Sequence, residues 1–299
     1  MSEVWAERIA SLYDMMQRCT LCPRRCGVDR LKGESGVCGI GADAVVSSYG
    51  PHFGEESVLV GRCGSGTIFF AGCNLKCVFC QNYDISHLRR GGVVTTGELA
   101  GMMLRLAERG CHNINLVTPT HQVARIAEAL SIARGMGLEV PVVYNCGGYE
   151  SVDVLKLLEG FVDIYMPDIK YGDNEPGKKY SGVSDYWDRC REAVREMHRQ
   201  VGDLQVSSQP IGAGQTVSLA TKGLLVRHLV MPNNIARTDK VLEFLANEIS
   251  KDTYVNIMSQ YRPEWQASRF PELNRRITHA EYVEAFRKAE QLGLHRFAD

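Results

Sequence analysis

From residue 67 onward, short apolar runs rich in β-branched and aromatic residues alternate with longer amphipathic stretches, and this alternation constrains the fold more than any other feature. The runs fall at 67–71, 113–117, 140–144, 163–166, 225–231 and 254–258. Between them lie stretches of helical period at 97–109, 121–136, 152–159, 185–199 and 238–249, with a last one at 280–292. Runs such as TIFFA and LLVRHLVM are almost continuously apolar, which suits a parallel sheet covered by helices on one face and packed on the other. The expectation is an α/β chain forming a barrel of six β/α units, or part of one. Chemistry in such a fold gathers at the C-terminal ends of the strands.

With 44% hydrophobic and 23% charged residues, the 299-residue chain can bury one substantial domain with a small appendage. A net charge of -1 supplies no field to attract nucleic acid or an anionic membrane, so neither is expected as a partner. The opening MSEVWAERIASLYDMM mixes charges through its apolar positions, unlike a signal peptide, and no later run reaches the roughly 18 apolar residues of a spanning helix. A cytoplasmic location is therefore expected. In a reducing compartment the eleven cysteines read as metal ligands, catalysts or small buried hydrophobes before disulfides. Four fall within 19–38 and three within 73–80. Residues 17–50 are rich in Cys, Gly and Arg without sustained periodicity, as in a segment organised around metal. The expected division is 1–50, a helix and cysteine-rich metal-binding segment, and 51–299, the barrel.

The segment FFAGCNLKCVFCQN sets Cys73, Cys77 and Cys80 as C-x3-C-x2-C directly after the first predicted strand, at the reactive end of the barrel. Four thiolates would close every corner of a 4Fe-4S cube, whereas three leave one iron open, the mark of a site that binds substrate. A zinc knuckle or three unrelated buried cysteines is the plainer alternative. CNLKCVFC resembles the signature of the radical S-adenosylmethionine superfamily, with the aromatic Phe79 before the last cysteine. The resemblance implies a partial (β/α)6 barrel and a 4Fe-4S cluster on the three cysteines. It also implies S-adenosylmethionine chelated at the open iron and cleaved to a 5'-deoxyadenosyl radical. Phe79 and Asn82, beside the last cysteine, are expected on the cofactor side.

The likeness narrows toward the glycyl-radical-enzyme activases, such as the pyruvate formate-lyase-activating enzyme, and toward relatives with an N-terminal four-cysteine motif. VDIYMPDIK resembles the branch's fourth strand, which places Asp168 and Lys170 at the cofactor. Alternation puts both on one face with Met166. Lys170 would neutralise the cofactor carboxylate and Asp168 would hold Lys170 or a cation; a surface ion pair is the alternative. In VVYNCGGY, Asn145 is the expected contact, and Gly147 and Gly148 permit close backbone approach. After the second strand the chain reads VTPTHQ where many radical enzymes carry Gly-Gly-Glu, so Thr118, Thr120 and His121 are the candidate substitutes, unless His121 caps the next helix. Arg227 and His228 alternate across the fifth strand, one inward and one toward the helices, and His228 is carried as a cofactor contact. Gln260, Tyr261 and Arg262 end the sixth strand at substrate height, or form an ordinary loop.

CTLCPRRCGVDRLKGESGVCG sets Cys19, Cys22, Cys26 and Cys38 as C-x2-C-x3-C-x11-C, four soft ligands for zinc or for an auxiliary iron-sulfur cluster. Arg24, Arg25 and Arg30 read as a solvated basic rim. Cys63, Cys111, Cys146 and Cys190 share no spacing and read as small buried hydrophobes. Three functions remain open at this stage. The first is an activase that abstracts hydrogen from a protein substrate. The second applies the same chemistry to a small molecule, lipid or peptide, and the third is a non-catalytic electron-transfer protein. The first two require a low-potential electron donor such as flavodoxin or ferredoxin.

Overall fold

The structure, a computed structural model, describes residues 3–212 and 215–298. Its strands are β1 (Ala44–His52), β2 (Ser65–Phe70), β3 (Gly92–Val94), β4 (Ile114–Val117), β5 (Val142–Cys146), β6 (Ile164–Pro167), β7 (Gln205–Gly212), β8 (Gln215–Leu229), β9 (Tyr254–Met258) and β10 (Arg296–Phe297). They form one sheet in the order β10-β9-β8-β6-β5-β4-β2-β1-β3, with β7 paired to β8 beside this path. From β2 to β9 the neighbours β2, β4, β5, β6, β8 and β9 are parallel and follow the chain, the order that successive right-handed β/α crossovers produce. The antiparallel β1 and β3 finish one end and the two-residue β10 the other, so the barrel is open.

The six apolar runs are these six parallel strands. The amphipathic stretches between them are the helices Thr96–Glu108, Val123–Gly135, Val152–Leu157, Tyr186–Val201 and Thr238–Phe244. Every residue of β4, β5 and β6 is buried, as continuous apolar runs require when both faces are covered. Helix Thr96–Glu108 starts at a capping box between Thr95 and Glu98, and His279–Gln291 at one between Thr278 and Glu281.

Alternation sorts each strand's residues. Tyr144, Tyr165 and Val226 join the large cluster under the helices, while Val143, Ile164, Met166 and Leu225 face inward with Val58 and Leu59. Those last two belong to the short helix Ser57–Val60, which plugs the interior. Beyond this apolar layer, two residues further along their strands, stand Asn145, Asp168 and Arg227. The N-terminal helix Glu3–Gln17 buries Ile9, Leu12 and Met16, and Trp5 stacks on Phe161 at 3.9 Å between ring centroids. Strand β1 runs across residue 50 and is hydrogen-bonded to β2, so the cysteine-rich segment leads straight into the sheet. Among the described residues no helix is long and apolar enough to cross a membrane.

Candidate active site

Arg227 is the inward residue of the fifth parallel strand, and it organises the polar end of the barrel. Its Nε donates to Asp168 Oδ1 at 2.7 Å, Nη2 to Asn145 Oδ1 at 3.0 Å and Nη1 to Glu55 Oε2 at 3.2 Å. Lys170 Nζ donates to the other Asp168 oxygen at 3.0 Å. Two carboxylates thus face two cations, a neutral set that is tolerable away from water only because each charge is paired. Burial alone would raise the Asp168 carboxyl, but Arg227 and Lys170 outweigh it and hold it at about 2. Burial lifts Glu55 above the usual carboxylate range against the pull of Arg227. His52 Nδ1 stands 3.4 Å from Glu55 Oε1.

This network floors a cavity of about 400 Å³ whose other wall is the three-cysteine loop. Cys73, Cys77 and Cys80 all line it, with Phe79, Asn82, Thr118, Asn145, Asp168, Lys170, Arg227 and Gln260. Burial, then the neighbouring Cys77 and Cys80 thiols, pushes the Cys73 thiol up to about 12. Each sulfur has a hydrogen-bonding neighbour. Leu75 N donates to Cys73 Sγ at 3.4 Å, Ser181 Oγ lies 2.9 Å from Cys77 Sγ, and Ser86 Oγ lies 3.1 Å from Cys80 Sγ. Donors of this kind stabilise thiolates bound to metal. Among the described residues no three His, Cys, Asp or Glu side chains gather as one ion's shell. Three thiols lining one cavity, each with a hydrogen-bonding neighbour, are soft ligands of the kind a multi-iron group takes, one thiolate to each of three irons.

Phe79 lies between Tyr171 and Tyr261, with ring centroids 6.2 Å and 6.0 Å away, and anchors the loop as well as lining the cavity. Asn82 stands exposed at the rim, just before the short helix Tyr83–Ser86. Thr118 holds φ at 61° and donates its N–H to Asn145 O at 2.8 Å. A β-branched residue in left-handed geometry is strained. Thr118→Gly is therefore expected to raise stability by about 1 kcal/mol in urea unfolding, with weaker cofactor binding in equilibrium dialysis.

The structure places Thr120, His121 and His228 outside the cavity lining. Thr120 Oγ1 donates to Glu150 Oε1 at 2.7 Å, and Tyr144 Oη donates to Glu150 Oε2 at 3.0 Å. Burial lifts that carboxyl to about 8 against these bonds. Burial holds His121 at about 3, so it is neutral and donates from Nε2 to Ala71 O at 2.8 Å, bracing the cysteine loop from behind. His228 is held at about 4 by burial. It bridges Ile169 O (2.7 Å) and Thr238 Oγ1 (2.9 Å) within the helix layer. Gln260 reaches the cavity, but Tyr261 is buried with its hydroxyl on Leu273 O at 2.8 Å, and Arg262 pairs with Glu264 at 2.8 Å. Arg30 is not part of a solvated rim, because it is buried and donates to Gly41 O and His121 O. Glu55 and His52 escaped the sequence reading: PHFGEE shows neither periodicity nor metal-ligand spacing, and the acidic pair itself is the only cue.

Fold and site together define an open parallel β/α barrel with three thiols beside a charged pocket at the C-terminal ends of its strands. A family model described as "Radical SAM superfamily" matches residues 67–212, so the chain carries a radical SAM domain there. Two uncharacterised proteins of Methanocaldococcus jannaschii are similar to it along most of its length. MJ0674 is 34% identical over 295 residues, 96% of this chain and 78% of that one. MJ0808 is 24% identical over 289 residues, 87% and 75%. Among known structures, methylornithine synthase (PylB) aligns at TM-score 0.49 and 16% identity over 76% of this chain and 61% of its own. Streptococcus suis SuiB bound to precursor peptide SuiA aligns at 0.47 and 11%, over 76% and 45%. The chain thus spans less than two thirds of each of these two structures. A radical SAM domain implies a 4Fe-4S cluster, S-adenosylmethionine and catalysis by radical chemistry.

Proposed function

We propose that Cys73, Cys77 and Cys80 hold the 4Fe-4S cluster and that this enzyme abstracts a hydrogen atom from a glycine of a protein substrate, as an activase does. When bound, the cluster and S-adenosylmethionine supply the 5'-deoxyadenosyl radical. Lys170, held by Asp168, offers its cation to the cofactor carboxylate. Asn145, fixed by Arg227, offers an amide beside it, and Thr118 and Phe79 close the walls. The observation that carries the reading is the cavity's size. About 400 Å³ lies near the lower end of the roughly 300–1,000 Å³ that buries a drug-sized ligand, so a cofactor of that size leaves little room and the substrate must approach from outside.

The test is to incubate reconstituted enzyme, cofactor and dithionite with extract from cells of the source organism grown on α-deuterated glycine, split by size. Deuterium in 5'-deoxyadenosine from the high-molecular-weight fraction is the expected result. Deuterium arising only from the small-molecule fraction, or from neither, rejects the activase reading.

A further inference from the structure

We infer that His52 holds the substrate chain beside its reacting glycine, by a hydrogen bond from Nε2 to an adjoining peptide group. The residue lies outside the matched span 67–212, on the segment PHFGEE at 51–56. That segment crosses the open side of the barrel. Among the described residues β2 and β9, the two ends of the parallel run, do not pair with each other. His52 is paired with Ser65 of β2, Glu55 accepts from Arg227 of β8, and Asn256 of β9 donates from Nδ2 to Glu56 Oε1 at 2.7 Å. Three anchors thus hold the segment across the gap, with both glutamate side chains buried. The helix Ser57–Val60 that follows fills the interior below.

His52 is the member of the charged floor that a molecule outside can reach. Its side chain is 43% exposed, against 6% for Glu55, 17% for Arg227 and 22% for both Asp168 and Lys170. It also lines the cavity. The imidazole is fixed on three sides. Nδ1 is buried and faces Glu55 Oε1 at 3.4 Å. The ring stands edge-on to Phe69, with centroids 5.8 Å apart and planes at 83°, and it lies over Gly54, where an added Cβ would stand 3.0 Å from Cε1. The exposed side of the ring therefore carries Nε2 outward.

Glycine has no side chain by which an enzyme can place its α-carbon, so the flanking peptide groups must be held instead. A peptide group carries one donor and one acceptor, and imidazole Nε2 meets either one according to its tautomer. Across the cavity the exposed Gln81 and Asn82 rim the cysteine loop, so the mouth is polar on both sides. The step itself is unchanged. The glycine α-hydrogen atom passes to the 5'-deoxyadenosyl radical and leaves a glycyl radical, while His52 gains and loses no proton. What His52 supplies is orientation of the bond that breaks.

The inference rests on the activase reading, and the experiment separates the two. His52→Phe keeps a ring against Phe69 and over Gly54 without its polar atoms, whereas His52→Gln restores an amide that can donate or accept. Wild type and both variants, reconstituted anaerobically with S-adenosylmethionine and dithionite, are given the high-molecular-weight fraction from cells grown on α-deuterated glycine. Circular dichroism checks that each is folded. The readout is the deuterated share of the 5'-deoxyadenosine formed, in which differences in cluster loading cancel. That share should fall about tenfold in His52→Phe and stay within about threefold of wild type in His52→Gln, the effect of losing and regaining one hydrogen bond. A wild-type share from His52→Phe, or an equally deep loss from His52→Gln, overturns the role of Nε2. Undeuterated product from wild type itself would instead reject the activase reading.

Discussion

Cys77→Ala is expected to reduce 5'-deoxyadenosine formation to the level of a no-enzyme control, measured by mass spectrometry after anaerobic reconstitution with dithionite and S-adenosylmethionine. The substitution should leave the fold intact. The loop around residue 77 is pinned by backbone bonds that do not involve the sulfur: Lys76 N donates to Ser181 O at 3.2 Å and Val78 N to Tyr180 O at 2.9 Å. Phe79 stays packed between Tyr171 and Tyr261. What the alanine removes is the central thiol, whose Ser181 neighbour is itself fixed by the Tyr171 hydroxyl at 2.9 Å. With two thiolates left, a four-iron cluster has two uncovered irons and is lost or degraded. An unchanged circular dichroism spectrum, a deficit of about four irons and no product would together assign the loss to the site. Product at the wild-type level would reject the assignment of Cys77.

Why so much of the barrel was legible, and part of the site was not, follows from where physical constraint acts. β4, β5 and β6 are buried on both faces, so their sequences had to be continuous apolar runs. The half-exposed AVVSSYGPH of β1 and the polar β7 pair only along an edge or beside the sheet, and their sequences carry no such mark. Asn145, Asp168 and Lys170 were reached through strand motifs that resemble the glycyl-radical-enzyme activases, and a polar residue at the end of an apolar strand is conspicuous besides. His121 and His228 were conspicuous for the same reason, yet the structure turns both toward backbone carbonyls in the packing layers. Alternation fixes that Arg227 and His228 point opposite ways, but not which points inward. Glu55 comes from a loop outside any periodic element, and only the folded chain brings it to Arg227.

That contact makes Arg227→Met a severe test of the charged floor, expected to cost about 3–5 kcal/mol in urea unfolding at pH 7.5, because it strands Glu55 and leaves Asp168 with Lys170 alone rather than removing a pair. Methionine retains much of the apolar bulk, so the loss is chiefly electrostatic. Asp168 would keep Lys170, whereas Glu55 would keep only His52 at 3.4 Å. The pH dependence above pH 5 should then steepen in the direction Glu55 sets. In the wild type Asp168 is held at about 2, below its ordinary value near 4. Its stabilisation is present above about 4 and lost as pH falls through about 2. Glu55 already lies above its usual range, and without Arg227 it rises further. A raised carboxyl contributes stability in full below its unfolded value and loses it as pH rises through the folded one, so acidification from pH 7.5 to 5 should stabilise the variant. Adding Glu55→Gln should flatten that slope and recover part of the loss. A cost under about 1 kcal/mol with no added stabilisation on acidification would mean that water screens the network, and that the charges around Asp168 serve binding alone.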